Sequence, residues 1–139
     1  MNKGPLISVV MPARNVEKFI GEAIESILVQ TLSDFELIII NDGSTDKTLC
    51  IIDSYAKRDD RIVVITRENK GLVDSRNEGI QKAKGEYIAK MDADDISLPD
   101  RFEKQIKLMK KKNLDVCGAY IQEFNESSQN IRQQYFPLK

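Results

Sequence analysis

The chain has 139 residues and a mass of 15.8 kDa, which suits one domain that buries roughly two thirds of its unfolded surface and leaves no room for two. With 21 Lys and Arg against 22 Asp and Glu, the net charge of -1 offers no bulk attraction to a polyphosphate backbone, so no nucleic-acid partner is expected. The longest aliphatic stretch, Leu37 to Ile40, is far short of the ~20 residues that span a bilayer.

Leu6 to Met11 is an apolar, β-branched run closed by Pro12 and predicts a first strand. Phe19, Ile20, Ala23, Ile24, Ile27 and Leu28 then fall on one helical stripe. Glu36 to Ile40 predicts a second strand, Leu49, Ile52 and Ala56 with Cys50 beside them a second helix, and Ile62 to Thr66 a third strand. Val73, Asn77, Ile80 and Ala83 to Lys84 predict a third helix, ended at Gly85, before a fourth apolar run at Tyr87 to Met91. A fourth helix is expected from near Pro99, behind the capping sequence Ser97-Leu-Pro-Asp100, with Phe102, Ile106 and Met109 inward. Val116 to Ile121 predicts one more strand, and residues 125–139 a polar tail or loop. Strands alternating with helices of this length imply right-handed crossovers, hence an α/β, doubly wound, mainly parallel sheet flanked by helices.

The chain contains no histidine, which excludes Ser-His-Asp and Cys-His nucleophile systems, HExxH zinc sites and histidine proton shuttles. Any acid, base or metal ligand must be mostly carboxylate. Cys50 and Cys117 each lie within an apolar pattern and read as buried thiols of a reducing compartment. The N-terminus runs into the first apolar segment without a signal-peptide h-region, so a cytoplasmic location is expected. Lys110 to Lys112 fall in the last turn of the fourth helix, where positive charge complements the dipole; the same run suits a membrane or phosphate patch.

A polar cluster follows each apolar strand: Pro12-Ala-Arg-Asn15, Asn41-Asp-Gly-Ser-Thr-Asp46, Arg67-Glu-Asn-Lys-Gly71 and Asp92-Ala-Asp-Asp95. In a parallel sheet these clusters share the carboxyl edge, where open α/β sheets bind ligands near the reversal of strand order. Asp92, Asp94 and Asp95 repel one another unless a cation relieves the field, and their spacing suits Mg²⁺ or Mn²⁺; a solvated acidic loop capping the next helix is the alternative. In the second cluster Gly43 turns the chain and Ser44 to Asp46 suit a helix cap, which leaves Asp42 unexplained. Its replacement by alanine is expected to weaken ligand binding without unfolding the chain. Arg76 is placed either for a diphosphate or for a salt bridge to the acidic loop. Neither GxxxxGK[ST] nor GxGxxG occurs.

Ser8-Val-Val-Met-Pro-Ala-Arg-Asn15, Glu36-Leu-Ile-Ile-Ile-Asn-Asp-Gly-Ser-Thr-Asp46, Asn69-Lys-Gly-Leu-Val-Asp-Ser-Arg-Asn77 and Gly85-Glu-Tyr-Ile-Ala-Lys-Met-Asp-Ala-Asp-Asp95 resemble, in order and approximate spacing, the N-terminal nucleotide-sugar-binding part of family 2 inverting glycosyltransferases of GT-A fold. The resemblance covers most of residues 6 to 110. It implies that Pro12 and Asn15 border a nucleoside pocket, that Asp42 hydrogen-bonds the base, that Arg76 serves base or diphosphate, that Asp92 holds the ribose, and that Asp94 ligates a Mg²⁺ or Mn²⁺ ion bridging the phosphates. Arg14 stands where the family often has tyrosine; its guanidinium plane can stack on a base. The implied partners are a nucleoside-diphosphate sugar, with a UDP-sugar first, a glycan or lipid-linked acceptor, and peripheral contact with a membrane.

The carboxylate that deprotonates the acceptor in this family lies well downstream of the DxD motif, and no segment among the 44 residues after Asp95 matches it. The catalytic base is therefore unassigned. Either the chain is one domain of a longer enzyme, ending before the acceptor-binding half, or it is a shortened homologue; the first is the reading adopted. The rival from another class is a non-catalytic nucleotide-sugar-binding module, which sugar transfer by the isolated chain would exclude. A response-regulator receiver needs an acidic pair after the first strand, and Pro12-Ala-Arg-Asn15 has none.

Overall fold

A computed structural model describes residues 3–124 and 127 and the backbone of 130–134. These fall into two compact units, Met1–Asp100 and Arg101–Lys139. The first contains β1 (Ile7–Ala13), α1 (Ile20–Leu28), β2 (Phe35–Asp42), α2 (Thr48–Ala56), β3 (Ile62–Arg67), α3 (Leu72–Lys82) and β4 (Tyr87–Lys90). Its four strands are parallel in the order β3-β2-β1-β4. The chain therefore winds outward from β1 to β3 and returns to the other side of β1. Right-handed crossovers place α1 and α2 on one face and α3 on the other, which confirms the α/β, doubly wound expectation.

β1 and β2 are buried over most of their length, as strands covered on both faces must be. Ile20, Ala23, Ile24 and Ile27 of α1 are fully buried, as their stripe predicted, whereas Phe19 just before the helix is exposed and Leu28 at its end is half-buried. On the α3 face, Val10, Ile38 and Ile40 form a cluster joined by Ile65 and Ala83. The first strand does not end at Pro12 but runs to Ala13, in register with Asn41 of β2. Pairing of β1 with β4 stops at Val10 and Lys90, so Pro12, which has no N–H to give, sits where β1 has no β4 neighbour.

The inward face of α3 differs from the predicted one. Val73 is 70% and Ile80 46% exposed, whereas Ser75 and Gly79 are buried. The helix lies so close to the sheet that a Cβ on Gly79 would collide with Val10 Cγ1 and come within 2.8 Å of Ile40 Cδ1. Gly79→Ala is expected to destabilise the fold by about 1–3 kcal/mol through overpacking, read as a lowered melting temperature; an unchanged one would show that α3 lifts away at no cost.

Cys50 is exposed rather than buried, and Cys117 is half-buried; both are free. The inward positions of α2 are Thr48 and Ile52, four apart, and Cys50 lies between them on the other side of the helix.

The second unit contains α4 (Arg101–Lys112), β5 (Ile121–Phe124) and β6 (Asn130–Gln134). Phe102 and Ile106 of α4 are buried and Met109 is half-buried. The predicted strand at 116–121 begins instead at Ile121, and residues 130–134 of the expected polar tail pair antiparallel with it. Backbone pairing gives a polar segment a strand conformation without a buried face, and every β5 residue is exposed. The remainder of the expected tail, 125–126, 128–129 and 135–139, lies outside the described residues.

Candidate functional site

Where strand order reverses, the carboxyl ends of β1, β2 and β4 and the start of α3 surround a cleft of about 370 Å³. Pro12, Arg14, Asp42, Arg76, Asp92 and Asp94 line it together, although they span 83 residues of sequence. Asn15 does not line it. Its backbone is in the left-handed region, φ 49°, and its Oδ1 accepts the Thr45 N–H at 2.8 Å while its own N–H donates to Ser44 Oγ. Asn15 thus latches the β1–α1 loop to the β2–α2 loop. Asp46 extends the latch, accepting from the Glu17 and Thr48 amides. The hydroxyl of Thr48, followed by these amide hydrogen bonds, holds the Asp46 carboxyl below its ordinary pKa despite its partial desolvation.

Asp42, the last residue of β2, is 4% exposed and lies in register with Arg67 at the end of β3. Its Oδ1 accepts from Arg67 Nε at 3.2 Å and from the Lys70 amide at 2.9 Å, and its Oδ2 accepts from the Gly71 amide at 2.9 Å. Burial pushes its pKa up, but the two amides and the Arg67 guanidinium outweigh it and hold the carboxyl below the ordinary value. Asp42 is therefore an ionised, acceptor-only group. Three donors fill three of the roughly four acceptor positions of a carboxylate, and the one left is on Oδ2, on a residue that lines the cleft.

Arg67 was not singled out by sequence reasoning, yet it organises this corner. Besides Asp42 it donates through Nη1 to Glu78 Oε2 at 2.8 Å and through Nη2 to Ser75 Oγ at 2.8 Å and the Gly71 carbonyl at 3.4 Å. Ser75 and Gly71 were also missed. The signal that could have found Arg67 is the alignment of strand ends, which sets an arginine opposite a buried aspartate on the neighbouring strand.

Across the cleft, Arg76 Nη2 donates to Asp92 Oδ1 at 2.7 Å, so the salt-bridge alternative for Arg76 is realised. The two side chains are 29% and 53% exposed; a pair this wet contributes little to stability and mainly orients two groups toward one space. Burial alternates along the acidic loop, Met91 and Ala93 inward, Asp92 and Asp94 outward. The loop is tied down beyond them, since Ser97 N donates to Ser26 Oγ and Gln30 Nε2 donates to Ser97 Oγ and the Leu98 carbonyl. Ser97 thus anchors to the end of α1.

Among the described residues no group of three or more His, Cys, Asp or Glu is gathered as a metal cage. Two exposed carboxylates on one cleft, Asp92 and Asp94, do fit Mg²⁺ or Mn²⁺, ions that take one or two protein carboxylates and complete their shells with phosphate oxygens and water. No helix among the described residues is long and apolar enough to cross a membrane.

The chain resembles solved structures over most of its length. TarS of Staphylococcus aureus, solved with UDP-GlcNAc, superposes with a TM-score of 0.72 at 25% identity, covering 86% of this chain and 38% of that one. Glucosyl-3-phosphoglycerate synthase from Mycobacterium tuberculosis, solved with Mn²⁺, UDP and glucosyl-3-phosphoglycerate, does so with a TM-score of 0.57 at 29% identity, covering 77% and 40%. In sequence, the uncharacterized glycosyltransferase EpsJ of Bacillus subtilis is 46% identical over 120 residues, 85% of this chain and 35% of EpsJ. The chain spans less than half the length of the relatives it matches here. The family model described as glycosyl transferase family 2 matches residues 8–138, almost the whole chain. With its doubly wound sheet and the cleft at its switch point, the chain belongs to glycosyl transferase family 2 and has the GT-A fold.

Proposed function

We propose that this chain is the donor-binding half of an inverting glycosyltransferase, holding a nucleoside-diphosphate sugar, with a UDP-sugar as first choice, for attack by a glycan or lipid-linked hydroxyl. The observation that carries the reading is the meeting, in one cleft at the strand-order reversal, of the anchored carboxylate of Asp42 with Arg76, Asp92 and Asp94. TarS and the synthase, solved with UDP-GlcNAc and with UDP and Mn²⁺, support it.

In this reading Pro12 forms the apolar wall of the nucleoside pocket and Arg14 lays its guanidinium plane on the base. Asp42 accepts one N–H from the base through its remaining Oδ2 position. Asp92 orients the ribose and is itself held by Arg76, whose cation also faces the diphosphate. Asp94, with Asp92 beside it, would hold Mg²⁺ or Mn²⁺. Bound there, the ion supplies Lewis-acid stabilisation of the departing diphosphate. Inversion follows from a single in-line displacement, in which a base outside the cleft's own carboxylates accepts the acceptor's proton. A cytoplasmic setting belongs to the reading and agrees with two free thiols. Peripheral contact with a membrane is assigned to the exposed lysines at the end of α4.

Calorimetric titration tests the reading. An acceptor-only carboxylate matches the imino N–H of uracil or guanine and opposes the bare ring nitrogen of cytosine or adenine. UDP and GDP are therefore expected to bind about tenfold or more tighter than CDP and ADP, a difference of ~1.4 kcal/mol or more. Mn²⁺ is expected to strengthen UDP binding relative to chelator. Equal affinity in Mn²⁺ and chelator would remove the role given to Asp94, and equal affinity for all four nucleotides would remove that of Asp42.

A further inference from the structure

Behind the cleft, the guanidinium of Arg67 joins the end of the sheet to the start of α3, alongside the direct bond from the Gly71 amide to Asp42. Its Nε holds Asp42, its Nη2 holds the Gly71 carbonyl and Ser75 Oγ, and its Nη1 holds Glu78. Four of its five N–H donors are thereby used, with the side chain 12% exposed. Ser75 precedes Arg76, the residue that reaches Asp92 on the far side. The planar fork therefore sets the spacing between the carboxylate at the end of β2 and the helix that carries the cleft's arginine.

We propose that Arg67 is a positioning residue for the nucleotide: through Asp42 and Ser75 it fixes where the base-reading carboxylate stands relative to α3. The inference rests on the donor-binding reading above. A lysine keeps the charge but gathers its donors on one tetrahedral nitrogen, so it cannot span Asp42, Ser75 and Glu78 in one plane.

The test compares UDP, CDP and inorganic pyrophosphate binding to the full chain and to Arg67→Lys, with Mn²⁺ present and below the melting temperature of each. The ratio of UDP to CDP affinity is expected to fall about tenfold toward unity, while pyrophosphate, which has no base, binds within about twofold of the parent. Glu78→Gln, which removes the charge of the outermost partner but keeps an acceptor oxygen, is expected to keep the ratio. Should Arg67→Lys fail to fold, Ser75→Ala removes one of the helix-side anchors without touching the charge and is expected to lower the ratio in the same direction. A ratio within about twofold of the parent in whichever variant folds, whatever the change in melting temperature, overturns the proposal and leaves Arg67 a structural brace. A parent chain that binds neither UDP nor GDP overturns the donor reading instead, and this proposal with it.

Discussion

Asp42→Ala is expected to cost the fold about 3 kcal/mol and to weaken nucleotide binding at the same time. The sequence alone suggested a residue reserved for ligand, whose loss would spare stability. In the structure the carboxylate is the acceptor for the Lys70 and Gly71 amides and for Arg67 Nε. Removing it takes this acceptor from the Lys70 amide and from Arg67 Nε, each at about 1–3 kcal/mol where water cannot replace the partner, while the Gly71 amide keeps Asn69 Oδ1 at 3.1 Å; it also leaves a largely buried guanidinium with Glu78 as its remaining counter-charge. For a chain of this size that is a fall in melting temperature on the order of 10 °C. An unchanged melting temperature with weakened affinity would restore the ligand-only role.

The pH dependence has a fixed sign. The folded-state pKa of Asp42 is lowered, so its contribution is complete above the ordinary aspartate value of ~3.9 and is lost as pH falls through the lower folded value. Asp59, held down first by its hydrogen bond from Arg61, contributes in the same direction. Asp42→Asn should therefore reduce, without abolishing, the loss of stability on acidification below about pH 4. An identical acid limb in parent and Asn variant would show that Asp42 carries no such linkage.

The largest effect is expected in catalysis. The acidic residues lining the cleft are Asp42, Asp92 and Asp94; the first is held by three donors with its remaining position assigned to the base, the second is paired with Arg76, and the third is assigned to the metal. A placed base typically contributes about 10² to 10⁴ in rate. The isolated 139-residue chain is therefore expected to bind donor and to transfer sugar slower by at least that factor than a relative of full length. Slow hydrolysis of the donor by water would persist. Acceptor-dependent turnover of about 1 s⁻¹ or more would sink this expectation and direct mutagenesis to Asp100, Glu103 and Asp115. Its absence together with tight, selective UDP binding is the result that the donor-binding reading expects.

β1 and β2 were legible because β-branched runs buried on both faces need no partner to be recognised, β3 and β4 as short apolar runs although each is partly exposed, and parallel pairing then forces all four carboxyl ends to one edge. The inward face of α3 was not. Apolar periodicity counts Val73 and Ile80, whereas the helix approaches the sheet through Ser75 and Gly79, two small residues four apart that hydropathy does not register; Ala83, which the stripe did include, packs against the core. Arg67 escaped because its role depends on the register of β2 against β3, a tertiary fact. Asn15 shows a related limit: its residue type and position suit a pocket wall, but an asparagine in the left-handed region also makes a good clasp between loops, and only the placement of Thr45 decides.

β1 outruns β4 by three residues, Met11, Pro12 and Ala13, about 10 Å at ~3.3 Å each. The cleft is thus a notch cut into the sheet itself, with main chain for its sill, rather than a hollow left between side chains. Such a notch is vulnerable to being zipped shut if the shorter strand grew along its neighbour. The imino acid at position 12 forbids this, because the ladder would need a donor there and finds a ring carbon. One residue type therefore keeps the opening from healing, independently of any contact it makes with what enters.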